Sequence, residues 1–441
     1  MIKHITIPAF VASVLLYLTF TNAAEPLSRP SDVIPISPDP SSAPTIAKEI
    51  ASVLDPLVEQ FASNRDAVGT AVAVSRNGKL IYARAIGYRD LSIAAPAEPT
   101  TLFSIASVSK PITAIAVVKL VQDRKLGLDD RFIDVLQLDP SANGNDEFDA
   151  RIRAVTIRHL LNHTGGWDRN ASYDPLGTSN RVRVCAHRNI AHDELHPNHI
   201  VQYMLTKPLD FDPGTKHAYS NFGYCILGRV IEKVTGKTYE DYVTNEVLRP
   251  LGIQQMRLRA DEPYDNEATA YTHAKENGEP IRGSFVECDH RTWPNKVVES
   301  HGGWLASAVD LSRLLAAFDS PTRMRILSPN AIKAMFSPPT GLPLVRDDGS
   351  PKPNFYGFGW DIWPSQNGFT AAHGGGACGM AAYISRSSSG FNWVVLTSTD
   401  AGFPTNTTST ALIRDGDQAL ANLRINSRFD LFRIRYKAET Q

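Results

Sequence analysis

The sequence predicts a mixed α/β fold, in which an antiparallel sheet is flanked by helices and joined to an all-helical region. Two patterns indicate this fold. Strand-like segments at 70–75 and 79–85 flank Asn77-Gly78, a pair typical of tight β-hairpin turns. Strand patterns then return only late in the chain, at 356–362, 380–384 and 391–396. This order predicts one sheet built from both ends of the domain and interrupted by the region between them.

Helices are predicted where apolar residues recur at helical spacing. The first begins at Thr45 and leads into the early hairpin. Further helical patterns lie at 107–122, 156–162, 222–234, 239–248 and 407–422.

The N-terminus predicts export. Lys3 precedes an apolar run at 5–20 and small residues at Ala23-Ala24, an arrangement typical of a cleaved signal peptide. The apolar run is shorter than the roughly 20 residues of a membrane span, although an uncleaved anchor is the alternative. We therefore expect a periplasmic or secreted protein. Its expected parts are a signal peptide (1–24), a Pro/Ser-rich extended tether (25–45), one domain (46–423) with an α/β region (46–106 and 340–423) and a mainly helical region (107–339), and a polar tail (424–441).

Charge and cysteine content limit the possible functions. The formal net charge is −1 and charged residues of both signs are mixed along the chain, which argues against a nucleic-acid-binding surface. No later segment resembles a membrane span, so no integral membrane partner is expected. The four cysteines permit disulfides in an exported protein, and three full pairings remain open.

The first chemical motif is Ser107-x-x-Lys110. Residues three apart share a helix face, so the hydroxyl and the amine can meet. The residues that follow, 112–121, are apolar on nearly every face, which predicts a deeply buried helix and a lysine whose pKa burial lowers. Free backbone N–H groups near Ser107 can stabilise an oxyanion. The alternative is a capping serine and a lysine that extends to solvent.

Two further motifs complete the candidate site. Tyr219 and Asn221 lie two apart in an extended segment, so both side chains can face one cleft. A phenolate beside an ammonium can accept the serine proton, and the amide can hold a substrate, although a buried tyrosine with an asparagine helix cap is the alternative. The third motif is His373-Gly374-Gly375-Gly376, where the missing side chains allow close approach and the Gly376 N–H is the expected second oxyanion donor.

The order of these motifs resembles the penicillin-binding serine hydrolases. The Tyr-x-Asn motif resembles their class C β-lactamase-like branch, which also contains D-alanyl carboxypeptidases, D-amino-acid peptidases and family VIII esterases. The resemblance implies a β-lactamase-like fold, catalytic Ser107, Lys110 and Tyr219, and a structural role at the site rim for His163 and Gly165-Gly166. It extends through 103–107, 157–166, 213–224, 250–253 and 302–307.

The third motif departs from the family pattern. β-Lactamases of this branch carry Lys-Thr-Gly at the position where this chain has His373-Gly374-Gly375. The Lys and Thr side chains that bind a substrate carboxylate in those enzymes are therefore missing here. We therefore expect an esterase or broad acyl hydrolase acting on a small-molecule or peptide substrate. The alternatives are a D-alanyl-D-alanine-type carboxypeptidase, a weak β-lactamase, or a catalytically idle scaffold of the same fold.

No cofactor or metal is predicted for this mechanism. Cys185 and several histidines crowd into 185–199, but Asp193 stands where the helical zinc motif requires glutamate, so a polar insertion loop is expected there. The segment 301–303 is interpreted as a loop. No Gly-x-Ser-x-Gly elbow occurs, which argues against an α/β-hydrolase fold.

Overall fold

A computed structural model describes residues 26–28, 45–139, 148–288, 294–320, 322–345, 348–366, 368–400, 405–425 and 428–434. The predicted signal peptide, most of the predicted tether and half of the predicted polar tail lie outside these residues. No helix in the described part of the chain is long and apolar enough to cross a membrane.

The centre of the fold is an eight-stranded sheet in the order β10-β11-β12-β13-β14-β2-β3-β4, with antiparallel neighbours throughout. The early and late parts of the chain meet where β14 pairs with β2, with Val394 opposite Ala73. The predicted α/β fold with an antiparallel sheet is confirmed. The strands are β1 (Leu27–Ser28), β2 (Gly69–Arg76), β3 (Lys79–Asp90), β4 (Ala95–Pro96), β5 (Phe103–Ser104), β6 (Arg257–Leu258), β7 (Tyr271–Glu276), β8 (Glu279–Glu287), β9 (Trp304–Ala306), β10 (Phe355–Tyr356), β11 (Asp361–Ser365), β12 (Gly368–Ala377), β13 (Met380–Arg386), β14 (Phe391–Thr397) and β15 (Thr399–Asp400).

Helices cover both faces of this sheet. Two successive residues of β14 point to opposite faces of the sheet. The Trp393 indole donates to Asp417 on one face at 2.7 Å, and the Asn392 amide donates to Asp319 on the other face at 2.9 Å. Asp417 belongs to α12, and Asp319 follows α10. The helices are α1 (Thr45–Arg65), α2 (Ser109–Gln122), α3 (Phe132–Leu136), α4 (Ile157–Leu161), α5 (Thr178–Arg188), α6 (Pro197–Met204), α7 (Asn221–Thr235), α8 (Tyr239–Val243), α9 (Glu299–Gly302), α10 (Ala308–Ala317), α11 (Pro329–Met335), α12 (Thr405–Ala421) and α13 (Leu431–Ile434).

The helical region is built around α2. This helix packs against α7, α8, α9 and α11, and its residues from 109 to 118 are all buried. Burial on every side explains why its sequence is apolar all round rather than on one stripe.

The region 107–339 also contains strands that the sequence interpretation missed. β7 and β8 form a hairpin around Asn277-Gly278, and β6 and β9 join β5 in a three-stranded sheet. Asn277 and Gly278 both have positive φ, of 52° and 89°, as do Asn77 and Gly78 in the predicted hairpin. The Asn-Gly signal that predicts the first hairpin therefore also marks the second.

Two other predicted segments differ in the structure. The single strand expected at 356–362 is divided into β10 and β11 by a turn at Gly359, whose φ of +82° favours glycine. A Cβ added at Gly359 would lie only 3.0 Å from Pro111 Cα and 3.1 Å from the Lys110 oxygen. The loop expected at 301–303 is instead the end of the short helix α9 followed by β9.

The tether prediction is wrong for its described residues. Leu27 and Ser28 form β1, which pairs with Phe285 and Ser284 of β8. Leu27 also packs against a small buried cluster that contains Tyr271. The prolines of this segment indicated an unpacked chain. Leu27 and Ser28 are ordered because they pair with the edge of β8 and because the Leu27 side chain is packed.

One disulfide joins two of the four cysteines. Cys288 follows β8, and Cys378 lies in the turn between β12 and β13, with their Cα atoms 5.9 Å apart. Cys185 and Cys225 are free and buried. Each of the three pairings that the sequence permits would join all four cysteines in two bridges. None of them is complete in the structure, because only the Cys288–Cys378 bridge forms.

Candidate active site

Ser107 lies in a one-turn 3-10 segment, Ala106–Val108, and the α-helix α2 begins two residues later at Ser109. Ala106 has a φ of +45°, a left-handed conformation that costs a non-glycine residue energy and is common at functional sites. The helix turn carries Lys110 back towards the serine, with Lys110 Nζ 3.0 Å from Ser107 Oγ. Ser107 does not cap α2, and Lys110 is fully buried, so the alternative of a capping serine and a solvent-reaching lysine is wrong.

The Lys110 amine has three neighbours at hydrogen-bond distance. Besides Ser107, these are Asn221 Oδ1 at 2.8 Å and the His301 carbonyl oxygen at 2.9 Å. Burial lowers the pKa of Lys110 well below its usual value, opposed by the charge of Asp174. An uncharged amine has two N–H groups and one lone pair. Two acceptors take both N–H groups, so the lone pair remains for the Ser107 hydroxyl proton.

Asn221 holds this arrangement in one orientation. Its amide nitrogen donates to Asp174 Oδ2 at 2.5 Å, which turns its oxygen towards Lys110. The helix cap here is Ser220, whose hydroxyl accepts from the Gly223 N–H, so the alternative of Asn221 as cap is wrong. Asn221 is the first residue of α7 and its side chain is used in the cleft.

The Tyr219 ring lies beside the Lys110 amine. Lys110 Nζ is 4.8 Å from the centroid of its ring, and the Arg169 guanidinium carbon is also 4.8 Å from that centroid. Burial raises the pKa of Tyr219 above its usual value, and a hydrogen bond with Ser107 and the charge of Arg169 oppose this. The phenol is therefore protonated at rest. Burial thus disfavours both the phenolate form of Tyr219 and the ammonium form of Lys110.

Aromatic rings fix the Tyr219 side chain from behind. The His163 ring centroid lies 4.3 Å from that of Tyr219 and 4.4 Å from that of Tyr356. His163 Nδ1 accepts from the Ser220 N–H at 3.2 Å, which ties this ring to the segment that carries Tyr219. Burial lowers the pKa of His163 well below its usual value, so the ring is neutral. His163 therefore lies buried beneath the site, whereas the resemblance implied a position at the rim of the site.

The glycine strand forms the remaining wall. β11 pairs with β12 only as far as Ala372, so the β11-side edge of β12 has no strand partner beyond that residue among those described. A side chain at Gly375 would place its Cβ 2.1 Å from the Ile105 oxygen and 3.1 Å from the Ser107 nitrogen. Glycine therefore allows β12 to lie directly against the serine turn. A Cβ added at Gly376 would meet nothing within 4 Å.

His373 brings no positive charge to this wall. It is buried, and its Nε2 lies 3.0 Å from the Tyr356 hydroxyl. Burial lowers the pKa of His373 to about 3, so the imidazole is neutral. Its Nδ1 lies 2.7 Å from the oxygen of Gly374.

The structure thus brings together Ser107, Lys110, Tyr219, Asn221 and the strand 373–376, as the sequence interpretation expected. Arg169, Asp174 and Tyr356 were missed. Arg169 and Asp174 lie on irregular chain after the 157–166 motif, where no local pattern marks them, and the sequence around Tyr356 indicates only a strand.

The histidine-rich segment has a structural use. His196 caps α6, its Nδ1 accepting from the Asn198 N–H, and His199 Nδ1 accepts from the His196 N–H, both at 3.2 Å. Pro197 begins this helix, since a residue without N–H is tolerated in a first turn. Across the part of the chain that the structure describes, no group of three or more His, Cys, Asp or Glu residues is placed to hold a metal ion.

The fold and the site together define a serine hydrolase. The Beta-lactamase family model matches residues 54–418, and the chain belongs to that family. It is 32% identical to esterase EstB of Burkholderia gladioli over 55% of this chain and 60% of the esterase. It is 30% identical to a putative fimbrial assembly protein FimD of Dichelobacter nodosus over 64% of this chain and 66% of that protein. The matches thus span slightly less than two thirds of these relatives.

Solved structures show the same fold. The hydrolase EstCE1, described as having promiscuous acyltransferase activity, has a TM-score of 0.63 and 24% identity, over 85% of this chain and 99% of that one. A D-amino acid amidase of Ochrobactrum anthropi has a TM-score of 0.63 and 22% identity, over 86% and 99%. At this identity the likeness concerns the fold alone.

Proposed function

We propose that the protein cleaves an ester or amide through a covalent acyl-Ser107 intermediate, with carboxylic esters as the preferred substrates. The observation that carries the proposal is the buried Lys110 amine, which lies 3.0 Å from Ser107 Oγ and within hydrogen-bond distance of Asn221 Oδ1 and the His301 carbonyl oxygen. In its uncharged form the amine can donate to those two acceptors and keep a lone pair for the Ser107 proton. A lysine whose pKa is lowered by burial is a suitable general base.

The proposed reaction follows from the positions of these groups. Lys110 takes the Ser107 proton as the oxygen attacks the carbonyl carbon, and the N–H groups of Ser107 and Gly376 stabilise the oxyanion. Tyr219, protonated at rest, donates its proton to the leaving group and recovers one from Lys110. Asn221 positions the acyl chain. A water molecule, deprotonated by the same groups, then releases the acid.

The preference for esters rests on the third motif. The buried, neutral His373 is held by Tyr356, and the glycines after it have no side chains, so this wall supplies no cation for a carboxylate. Neutral esters need no such cation. The esterase among the relatives supports this preference.

A D-alanyl-type carboxypeptidase is the second candidate. Arg169 is exposed and its guanidinium lies over the Tyr219 ring, so it can bind the terminal carboxylate of a peptide at the cleft. Weak β-lactam hydrolysis would use the same cation.

Export is part of the proposal and rests on the sequence of residues 1–24. N-terminal sequencing of the mature protein from culture medium or periplasm would test it. A chain that retains Met1 in the cytoplasmic fraction would contradict it.

The activity is tested by mass spectrometry after incubation with a fluorophosphonate. We expect one adduct on Ser107, none in Ser107→Ala, and hydrolysis of p-nitrophenyl esters by the wild type alone. No adduct and no turnover would indicate an idle scaffold.

A second experiment separates the two enzyme candidates. The substrates are p-nitrophenyl butyrate, a D-alanyl-D-alanine peptide and a chromogenic cephalosporin. An esterase cleaves the first, and Arg169→Ala leaves its KM unchanged. Efficient cleavage of the peptide, with a raised KM in Arg169→Ala, would favour the carboxypeptidase.

A further inference from the structure

A second concave site lies away from the cleft. It is a cavity of about 640 Å³ between the turn Arg249–Leu251, the helix α10, the segment 322–325 and the C-terminal helix α13. None of its lining residues belongs to the candidate active site. The volume is that of a pocket for a small organic ligand.

Positive charge dominates the lining of this cavity. Among the described residues that line it there is no Asp or Glu. The charged residues there are Arg249, Arg313, Arg323, Arg325 and Arg433. Guanidinium groups remain charged at any physiological pH, so this concentration of charge is permanent.

Nearby carboxylates only partly compensate. Asp430 is buried and accepts from the N–H groups of Leu80 and Phe432, both at 3.2 Å, with Arg433 at 3.7 Å. Asp310 is buried behind Arg313, and burial raises the pKa of Asp310 to about 6.

Asp319 is occupied by other groups. It accepts from the Gly78 N–H at 2.8 Å and from Arg386 at 3.0 Å, and Asn392 also donates to it. The five arginines of the lining therefore outnumber these three carboxylates.

Two of the arginines are held in place by their surroundings. The Arg313 guanidinium lies over the Phe432 ring, 4.2 Å from its centroid. Arg323 crosses the hairpin turn at Gly78, where a side chain would place its Cβ 2.2 Å from Arg323 Nε. Gly78 has a φ of +76° and so favours glycine in any case. Held guanidiniums lose less conformational entropy on binding than free ones.

The wall between the arginines is apolar. Leu251, Pro250, Ala316, Ala317 and the Phe432 ring complete the lining. A ligand that contacts both the arginines and the apolar wall carries anionic groups on an organic body. A phosphate group suits arginines that come from four separate segments, because its several oxygens accept from different directions, whereas a planar carboxylate matches a single guanidinium fork.

We propose that this cavity is a binding site for an organic phosphate, independent of the acyl-transfer site. The phosphate oxygens meet Arg313, Arg323 and Arg325, and the organic part lies against Phe432 and Leu251. The source of the phosphate, free metabolite or lipid headgroup, is distinguished by the probe that binds.

Isothermal titration calorimetry on the full-length protein tests the proposal, with pyrophosphate, phenyl phosphate, lysophosphatidic acid below its micellar concentration, and citrate as probes. We expect saturable 1:1 binding of phenyl phosphate that weakens with added salt, and weaker binding of citrate. Tighter binding of lysophosphatidic acid than of phenyl phosphate would indicate a lipid source, and the reverse order a soluble one.

Three variants locate the site. Arg323→Ala/Arg325→Ala should weaken phenyl phosphate binding at least about tenfold, since charge-assisted hydrogen bonds are lost. The matched control Arg414→Ala removes an arginine whose side chain is 74% exposed and whose partner is Asp415, and should bind as the wild type does. Ser107→Ala should also bind normally. The proposal is overturned if no phosphate probe binds, if the double variant binds normally, if citrate binds equally well, or if Ser107→Ala abolishes binding.

Discussion

Replacing Gly375 by alanine should disable the site without unfolding the protein. The new methyl group would lie 2.1 Å from the Ile105 oxygen, a contact that has to lengthen to at least 3.0 Å. The Ile105 oxygen cannot easily turn away, because it accepts from the Val108 N–H at 3.0 Å and thereby closes the turn that carries Ser107. The strand must therefore retreat by about 1 Å, which we expect to cost roughly 100-fold in kcat/KM.

Gly376→Ala is the matched control. A Cβ there meets nothing within 4 Å, the backbone φ is not positive, and the substitution keeps the N–H proposed for the oxyanion. We expect kcat/KM within about threefold of the wild type, as for other substitutions that meet open space.

The assay is hydrolysis of p-nitrophenyl butyrate, accompanied by the rate of fluorophosphonate labelling at Ser107. Thermal melting followed by circular dichroism checks that Gly375→Ala is folded, since overpacking of this kind costs about 1–3 kcal/mol. If Gly375→Ala keeps activity within about threefold, or if both variants lose activity equally, the proposed close contact between strand and serine turn is wrong.

Three other perturbations have defined outcomes. Labelling of Ser107 should accelerate as pH rises through the lowered pKa of Lys110, because only the uncharged amine accepts a proton. The Lys110→Arg variant should be labelled slowly at every pH tested. A wild-type labelling rate that does not depend on pH would refute the assignment of Lys110 as the base. Ala106→Val should lose labelling while Ala106→Gly keeps it, because a β-branched residue tolerates a φ of +45° poorly; equal labelling of both would contradict this. Cys288→Ser/Cys378→Ser should lower the free energy of unfolding in urea by up to about 4.6 kcal/mol, since the bridge spans 90 residues; a loss below about 1 kcal/mol would show that the loop is closed without it.

Local signals identified those parts of the fold that depend on neighbours in the chain. The Asn77-Gly78 turn and the all-apolar run after Lys110 led directly to the first hairpin and to the buried helix α2. The strands β5, β6 and β9 were missed because each has only two or three residues, and such short strands exist only through their partners in distant segments. The Asn277-Gly278 hairpin was missed although its turn signal was present.

The candidate site likewise combines contacts that follow from spacing along the chain with contacts that only folding creates. Ser107 and Lys110 are one helical turn apart, so their meeting follows from the sequence alone. The orientation of Asn221 depends on Asp174, 47 residues earlier, and the protonation of Tyr219 depends on the rings and charges that surround it. A residue's ionisation responds to everything within a few ångströms, and that environment is assembled only by folding.

By itself, the sequence determined the residue types of the reaction, their order along the chain and the absence of a fixed cation in the third motif. The tertiary structure decided how the Lys110 amine is buried and hydrogen-bonded, where the glycine strand lies against Ser107, which cysteines pair, and that five arginines line one cavity. Spacing along a chain specifies contacts within a helix or a hairpin. Contacts between segments a hundred residues apart depend on how the whole core packs.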